Sequence, residues 1–209
     1  MNFLFHMFLS GDDQELLVGN FMGDFVKGPL ANRYPPPICQ GLLLHRKIDS
    51  FAHTNRFFQA SRQRLAPHYG LYRGILVDIF YDHFLTRAWD DWNEMPLPDY
   101  LAWARNVIDR HREVMPAELQ GFVPTIFTEL LPSYGTMAGI TSALQRMSRR
   151  IHRPNPLADG AHELTRQYEA LQDDFASFIR DIVPFATAFA VASRYSPDEE
   201  RTSLSPCRN

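Results

Sequence analysis

Three segments of the chain carry acidic, amide or imidazole side chains in pairs at four-residue spacing. The pairs are Asn20 with Asp24, His45 with Asp49, and Asp78 with Asp82. Each pair stands on or beside an apolar helical stripe, where a polar or charged side chain costs free energy unless a partner or a function compensates. The three pairs are therefore the first candidates for chemistry.

Each pair alone has an ordinary structural interpretation. A histidine and an aspartate four residues apart can be a hydrogen-bonded core pair, and two aspartates can bind arginines of a neighbouring helix. Asn20 and Asp24 can cap or pack a loop near Gly19 and Gly23. These alternatives remain open for any single pair.

Taken together, the pairs indicate a metal site. A hard divalent cation binds carboxylates with one or two imidazoles, and helical bundles build such centres from facing helices. Because the set contains no thiolate, we expect Mn²⁺, with Mg²⁺ or Fe²⁺ as alternatives, rather than structural zinc. Such a cation activates water and neutralises phosphoryl oxygens, which favours phosphoester hydrolysis. The sequence has no glycine-rich phosphate loop and no GxSxG motif, which argues against nucleotide-loop enzymes and serine hydrolases.

The segment from Leu71 to Trp89 is the element that must position this chemistry. Its apolar residues follow a helical stripe, and Asp78 and Asp82 occupy two positions in the middle of that stripe. The next residue, His83, can bind metals and transfer protons near neutral pH. We expect this helix to be the centre of the fold.

The remaining segments also read as helices separated by prolines and glycines. With 209 residues, 45% hydrophobic and 22% charged, the chain suits one soluble domain with a full core. We predict an all-α, single-domain helical bundle of about eight helices over residues 1–194. Residues 195–209 are polar and contain prolines, and we expect a disordered tail.

Composition bears on location and on the class of partner. A net charge of −3 argues against a surface devoted to nucleic acid. The N-terminus lacks the basic region of a signal peptide, and the apolar run from Ile182 to Ser193 is too short to span a bilayer and contains Pro184. Cys39 and Cys207 do not suggest a disulfide framework. We expect a cytoplasmic protein without a membrane span.

Several blocks of the sequence together resemble one known family. The blocks are MNFLFH (1–6), GNFMGDFVKG (19–28), YPP (34–36), LHRKID (44–49), LVDIFYDHFL (76–85) and, less strongly, LQRMSRR (144–150). In this order and spacing they resemble the acyl carrier protein phosphodiesterases. The chain departs from the family pattern after LHRKID, where Phe51 is followed by Ala52 and His53 instead of a Thr-Asp pair. This change removes an acid near the site, although His53 can still act as a ligand.

The resemblance implies an all-helical fold related to the HD-type phosphohydrolases. It also implies an Mn²⁺-dependent enzyme of lipid metabolism and fatty acid biosynthesis. This enzyme removes the 4′-phosphopantetheine arm from holo acyl carrier protein and so produces the apo protein. The positions that match the polar core of the family are His6, Asn20, Asp24, His45, Arg46, Asp49, Asp78, Asp82 and His83.

Within that set we assign roles as hypotheses. Asp24, His45 and Asp78 are expected to hold one or two metal ions, and Asp82 to be a further ligand or the base that orients water.

Three groups of residues complete the hypothesis. His83 is the candidate general acid, and Arg46 can clamp a phosphate oxygen. His6, Asn20, Asp49 and Arg62 are expected to bind substrate.

Acyl carrier proteins are acidic, so Arg56, Arg62, Arg64 and Arg73 can form a docking surface, or can simply be a solvated face. Two other functions remain open, namely an HD-type hydrolase of nucleotides or small phosphodiesters and a non-catalytic module that binds an acidic partner.

Overall fold

The computed structural model describes residues 1–195, which contain ten α-helices and no β-strand. The helices are α1 Phe3–Phe8, α2 Gln14–Phe21, α3 Pro36–Thr54, α4 Arg56–Arg64, α5 Tyr72–Arg87, α6 Leu97–Arg110, α7 Ala117–Thr125, α8 Met137–Arg150, α9 Ala161–Arg166 and α10 Tyr168–Tyr195. A π-helical turn, Ile126–Leu130, and one short α-turn, Leu131–Ser133, extend α7. The prediction of an all-α fold is confirmed.

The sequence reading expected about eight helices, and the difference has a local cause. The long amphipathic segment predicted after Asp159 is divided into α9 and α10 at Gln167. The single-domain boundary at residue 194 and the relationship to HD-type enzymes stay predictions. All but the first residue of the predicted tail lies outside the described residues.

Helix α5 is the centre of the bundle, as the sequence predicted. Its residues from Leu76 to Leu85 are buried except for Asp78, and α5 contacts α1, α4, α8 and α10. A helix that is apolar around its whole circumference is a core helix. The sequence predicted that Leu71 begins the apolar stripe of this helix. This prediction is wrong, because Leu71 precedes the helix and is 85% exposed.

Capping side chains fix where the site-bearing helices begin. The carboxylate of Asp13 accepts a hydrogen bond from the Leu16 amide at 3.0 Å and caps α2, as one of the two predicted caps. Asn55 ends α3 and caps α4, because its side-chain oxygen accepts from the Phe57 amide at 2.9 Å. These caps define the segments that carry Asn20, His45 and Asp49.

Helices α2 and α3 approach each other closely through two glycines. A Cβ atom built on Gly19 would lie 2.7 Å from the Gly41 Cα atom and 2.8 Å from the Leu42 backbone nitrogen. Only glycine avoids this overlap, so the backbones of α2 and α3 can pack in direct contact.

The last helix continues through Pro184 to Tyr195. The span Tyr168–Ser193 is long and apolar enough to cross a membrane by length and composition alone, a test that core helices of soluble proteins also pass. The expectation of no membrane span therefore stays a prediction. Cys39 is buried on α3, and Cys207 lies outside the described residues, so the expectation about the two cysteines stays a prediction.

We predict that Gly19→Ala destabilises the protein by about 1 to 3 kcal/mol, because the added methyl group forces α2 and α3 apart. The matched control is Gly121→Ala, where a Cβ atom meets nothing within 4 Å and helix propensity favours alanine by up to about 1 kcal/mol. Urea denaturation of both variants measures the change. Equal stability of the two variants would contradict the close approach of these helices.

Candidate metal centre

Three side chains from two helices converge beside the first turn of the chain. His6 of α1 and His45 and Asp49 of α3 each place one potential ligand atom within 4.8 Å of the others. The Nε2 atom of His6 lies 3.4 Å from Asp49 Oδ1, and the Nε2 atom of His45 lies 3.3 Å from Asp49 Oδ2. The two imidazole rings stack with centroids 3.8 Å apart. The arrangement presents two imidazoles and one carboxylate to a common point.

Asn20 orients both imidazole rings. Its side-chain nitrogen donates to the His6 carbonyl oxygen and to Ser10 Oγ, so its side-chain oxygen must accept from His6 Nδ1, at 2.7 Å. The Asn20 backbone carbonyl accepts from His45 Nδ1 at 2.8 Å. With Nδ1 donating in each ring, the Nε2 lone pairs are left for a ligand, as metal-binding histidines require.

Asp24 lies at the edge of this group, on the short 3₁₀ turn Gly23–Phe25. Its Oδ1 atom is 3.6 Å from His45 Nε2, and its side chain is 54% exposed. A Cβ atom on Gly23 would overlap the His45 ring, so glycine here makes room for the imidazole. Asp24 is therefore an outer, solvent-facing member of the cluster.

The N-terminal ammonium of Met1 lies between two carboxylates of the cluster. Its nitrogen is 2.9 Å from Asp49 Oδ1 and 3.2 Å from Asp78 Oδ1. Burial alone would lower the pKa of this ammonium, but Asp78 and Asp49 raise it to about 11. The carboxylates thus already hold one positive charge at neutral pH.

The protonation states of the two histidines differ. Burial lowers the pKa of His6 to about 4, helped by the charge of His45, so the His6 ring is neutral at pH 7. Burial alone would also lower the pKa of His45, but Asp24 and Asp49 raise it to about 9. Burial alone would raise the pKa of Asp49, but protonated His45 and the Met1 ammonium beside it hold this pKa well below its usual range.

Two buried polar atoms of this group have no hydrogen-bond partner. Among the described residues, such side-chain atoms are His6 Nε2, Asp78 Oδ1 and Tyr100 Oη. The Asp78 oxygen is near the Met1 ammonium but not in hydrogen-bond geometry, and burial raises the pKa of Asp78. The lone pair of His6 Nε2, buried beside Asp49 without a hydrogen-bond partner, fits a divalent cation.

Asp82, predicted as a ligand or base, lies outside the cluster. Its two oxygens accept hydrogen bonds from the Leu4 and Phe5 amides, at 3.1 and 3.0 Å. Burial raises the pKa of Asp82 to about 7, although these amides lower it. Residues four apart share a helix face but are one turn apart along the axis, so Asp78 reaches the cluster and Asp82 reaches α1 instead. The geometry makes Asp82 an anchor for α1, and therefore for His6.

His83, predicted as the general acid, also points away. Its Nδ1 atom lies 2.7 Å from the Tyr134 carbonyl oxygen and its Nε2 atom 3.0 Å from Tyr168 Oη. Consecutive residues on a helix differ by about 100° in direction, so the neighbour of Asp82 faces α10 instead of the cluster. The structure gives His83 a packing environment away from any substrate.

Open clefts reach the cluster from three sides. One cleft, lined by Lys27, Arg46 and Asp24, also exposes His45 and Asp49. A second is lined by residues that include Asp49, Asp78, His53 and Gly74. A third, of about 600 Å³, is lined largely by apolar residues and shares Asp24 with the other two.

The predicted binding residues are distributed around these clefts. His6 and Asn20 lie inside the cluster itself, with His6 as a potential ligand and Asn20 as its support. Arg46 lines the first cleft. Arg62 lies beside the second, with its Nε atom 4.0 Å from the position of a Cβ atom on Gly74.

Sequence reasoning missed Lys27 and the Met1 ammonium as members of the site, and it considered His53 only as a ligand. Lys27 carried a signal, since it belongs to the block GNFMGDFVKG and follows Asp24 by three residues. The ammonium carried none, because a residue pattern does not show where a chain end packs.

Comparisons with known proteins identify one family. Residues 1–182, which include every member of the cluster, match the family model described as acyl carrier protein phosphodiesterase. Proteins of that name from Yersinia pestis and Yersinia enterocolitica are each 32% identical over 180 and 187 residues, covering 85% of this chain and 93% of the relative. A relative of the same name from Salmonella dublin is 30% identical over 187 residues with the same coverage. No solved structure matches the chain significantly.

We predict that the affinity of the purified protein for Mn²⁺ rises with pH, by about tenfold per pH unit, between about pH 6 and 9. The reason is that a cation must displace the His45 proton, whose pKa is raised to about 9, whereas His6 is already neutral. Calorimetric titration in buffers of different ionisation enthalpy measures both the affinity and the proton release. Release of no proton at pH 7 would contradict the assignment of His45.

Proposed function

The chain belongs to the acyl carrier protein phosphodiesterase family, and we propose that it hydrolyses the phosphodiester joining 4′-phosphopantetheine to a serine of holo acyl carrier protein. The products are apo carrier protein and free 4′-phosphopantetheine. The observation that supports this reaction is the convergence of His6, His45 and Asp49 on one point reached by open clefts.

We further propose that this point binds Mn²⁺, with Mg²⁺ or Fe²⁺ as alternatives. His6, His45 and Asp49 supply the ligand atoms, and Asp24 and Asp78 lie beside them. When bound, such an ion neutralises phosphoryl oxygens and lowers the pKa of a water molecule. His6 and Asp49, predicted as substrate-binding residues, thus become ligands in this proposal.

Lys27 and Arg46 are suited to hold the phosphate. Both line the cleft that exposes Asp24, His45 and Asp49. Arg46 donates to the Gly28 carbonyl oxygen at 2.6 Å, which fixes its guanidinium near the cleft. Two cations beside the cluster can bind the non-bridging phosphoryl oxygens and offset the charge that develops on them.

His53 replaces His83 as the proposed general acid. It lines the same cleft as Asp49 and Asp78, and its ring packs against Phe58 at a centroid distance of 6.4 Å. An exposed imidazole in this position can give its proton to the serine oxygen as the bond to phosphorus breaks. The departure from the family pattern after Asp49 thus leaves a proton donor in the site.

The carrier protein would approach over the second cleft. Arg62 lies beside Gly74, which lines this cleft, and Arg73 precedes Gly74 in the sequence, so both can bind acidic side chains of the carrier. Arg64, also predicted for docking, instead donates to Asp174 of α10 at 2.7 Å, so its role is packing between helices. Action on a carrier protein of fatty acid synthesis places the enzyme in lipid metabolism in the cytoplasm, which remains part of the proposal.

We predict that Asp49→Asn lowers metal-dependent release of phosphopantetheine by at least about 100-fold, because it removes a ligand and the acceptor of two imidazoles. Mass spectrometry of holo carrier protein after incubation with enzyme and Mn²⁺ measures the loss of the arm. Asp109→Asn, at an exposed residue paired with Arg105, is the matched control. A wild-type protein that cleaves only members of a nucleotide panel would overturn the proposed substrate.

We predict that His53→Gln lowers kcat by about 10²-fold to 10⁴-fold, since the general acid is lost. The affinity for Mn²⁺ should remain at the wild-type value. His152→Gln, at an exposed histidine, should change neither quantity. Weakened Mn²⁺ binding in His53→Gln would instead make His53 a ligand and contradict its role as the acid.

A further inference from the structure

The largest of the three clefts at the cluster has a lining that suits a flexible organic chain. Its volume is about 600 Å³, within the range of roughly 300 to 1,000 Å³ typical of small-molecule sites. The lining is mostly apolar and includes several polar and charged residues. The apolar members include Phe3, Phe25, Ile79, Phe122, Leu130 and Met147.

The cleft adjoins the one that reaches Asp49 of the metal cluster. Asn2, Asp24, Ile79 and Met147 line both this cleft and the one that contains Asp49 and Asp78. A phosphodiester held at the cluster would therefore have one of its two substituents at the entrance of the large cleft. The other substituent would leave through the cleft of His53.

Three arginines of α8 also line the cleft, and contacts hold two of them in place. Arg150 stacks over Phe122, 4.4 Å from the ring centroid, and lies 3.2 Å from Glu118. Arg146 pairs with Glu129. Arg149 completes the rim. Fixed guanidinium groups above an apolar floor are donors for carbonyl oxygens on a chain that lies along that floor.

We propose that this cleft binds the pantetheine arm of the carrier protein, an inference that rests on the proposed function. Starting from the phosphate, the arm contains a methylene group, a dimethyl-substituted carbon and then two amides, and it ends in a thiol. Its alkyl groups match the phenylalanines near the cluster, and its amide carbonyls match the arginine rim. The serine and the carrier then lie on the opposite side of the phosphorus atom, where His53 and Arg62 are located.

A blocking substitution tests this assignment. Thr125 lines the cleft at the end of α7 and is half-buried, so Thr125→Trp fills the cleft from its wall. Thr128→Trp is the matched control, because Thr128 is exposed and lines a different cleft with Leu97 and Leu101. Ile151→Trp blocks the distal end and is the second test variant. Unchanged Mn²⁺ affinity shows that each variant is folded at the cluster.

The probe is free 4′-phosphopantetheine, titrated into Mn²⁺-loaded protein by calorimetry, together with the KM for holo carrier protein. In Thr125→Trp and Ile151→Trp we expect the Kd of the probe and the KM for holo carrier protein each to rise by at least about tenfold. Neither constant should change in Thr128→Trp. Wild-type affinity in both blocking variants, or no binding to the wild type, would overturn the assignment. The two proposals can fail separately. If the blocked variants lose binding of the probe but the wild type does not hydrolyse holo carrier protein, the proposed function is overturned and the cleft assignment is supported.

Discussion

The structure depends on holding two imidazoles and a carboxylate at one point near the surface of a packed helical core. Burial of imidazole and carboxylate groups at short distance costs free energy unless a hydrogen-bond or ionic partner fixes each group. Asn20 supplies that constraint, since its side chain sets the His6 ring and its backbone carbonyl sets the His45 ring. One residue on α2 therefore determines that both Nε2 atoms face Asp49.

The surrounding helices make this constraint possible. The contact of Gly19 with Gly41 brings the α2 backbone close enough to α3 for Asn20 to reach His45. Asp82 binds the first amides of α1 and so fixes the short helix that carries His6. Gly23 leaves space for the His45 ring and places Asp24 beside it. Each of these features is a backbone approach or a cap, and each lies on a different element.

Residue types and spacing were sufficient to predict the all-α fold, the central position of α5 and most members of the cluster. The polar pairs of α2, α3 and α5 disagreed with their apolar surroundings, and that disagreement is visible in a sequence. Spacing was insufficient where the contacts of a side chain depend on which neighbouring helix packs against it. Asp78 and Asp82 share a face, yet the end of α1 covers only one of them, and His83 lies on the far side of the same turn. The ammonium of Met1 between Asp49 and Asp78 follows from the packing of α1, which no periodicity reports.

The central claim is that the cluster of His6, His45 and Asp49 binds a divalent cation. The most direct test is a crystal structure of the Mn²⁺-loaded protein with anomalous diffraction recorded at the manganese absorption edge. Our account predicts an anomalous peak bonded to the Nε2 atoms of His6 and His45 and to an oxygen of Asp49. A saturated crystal without a peak at this position, or with its manganese bound elsewhere, would contradict the account.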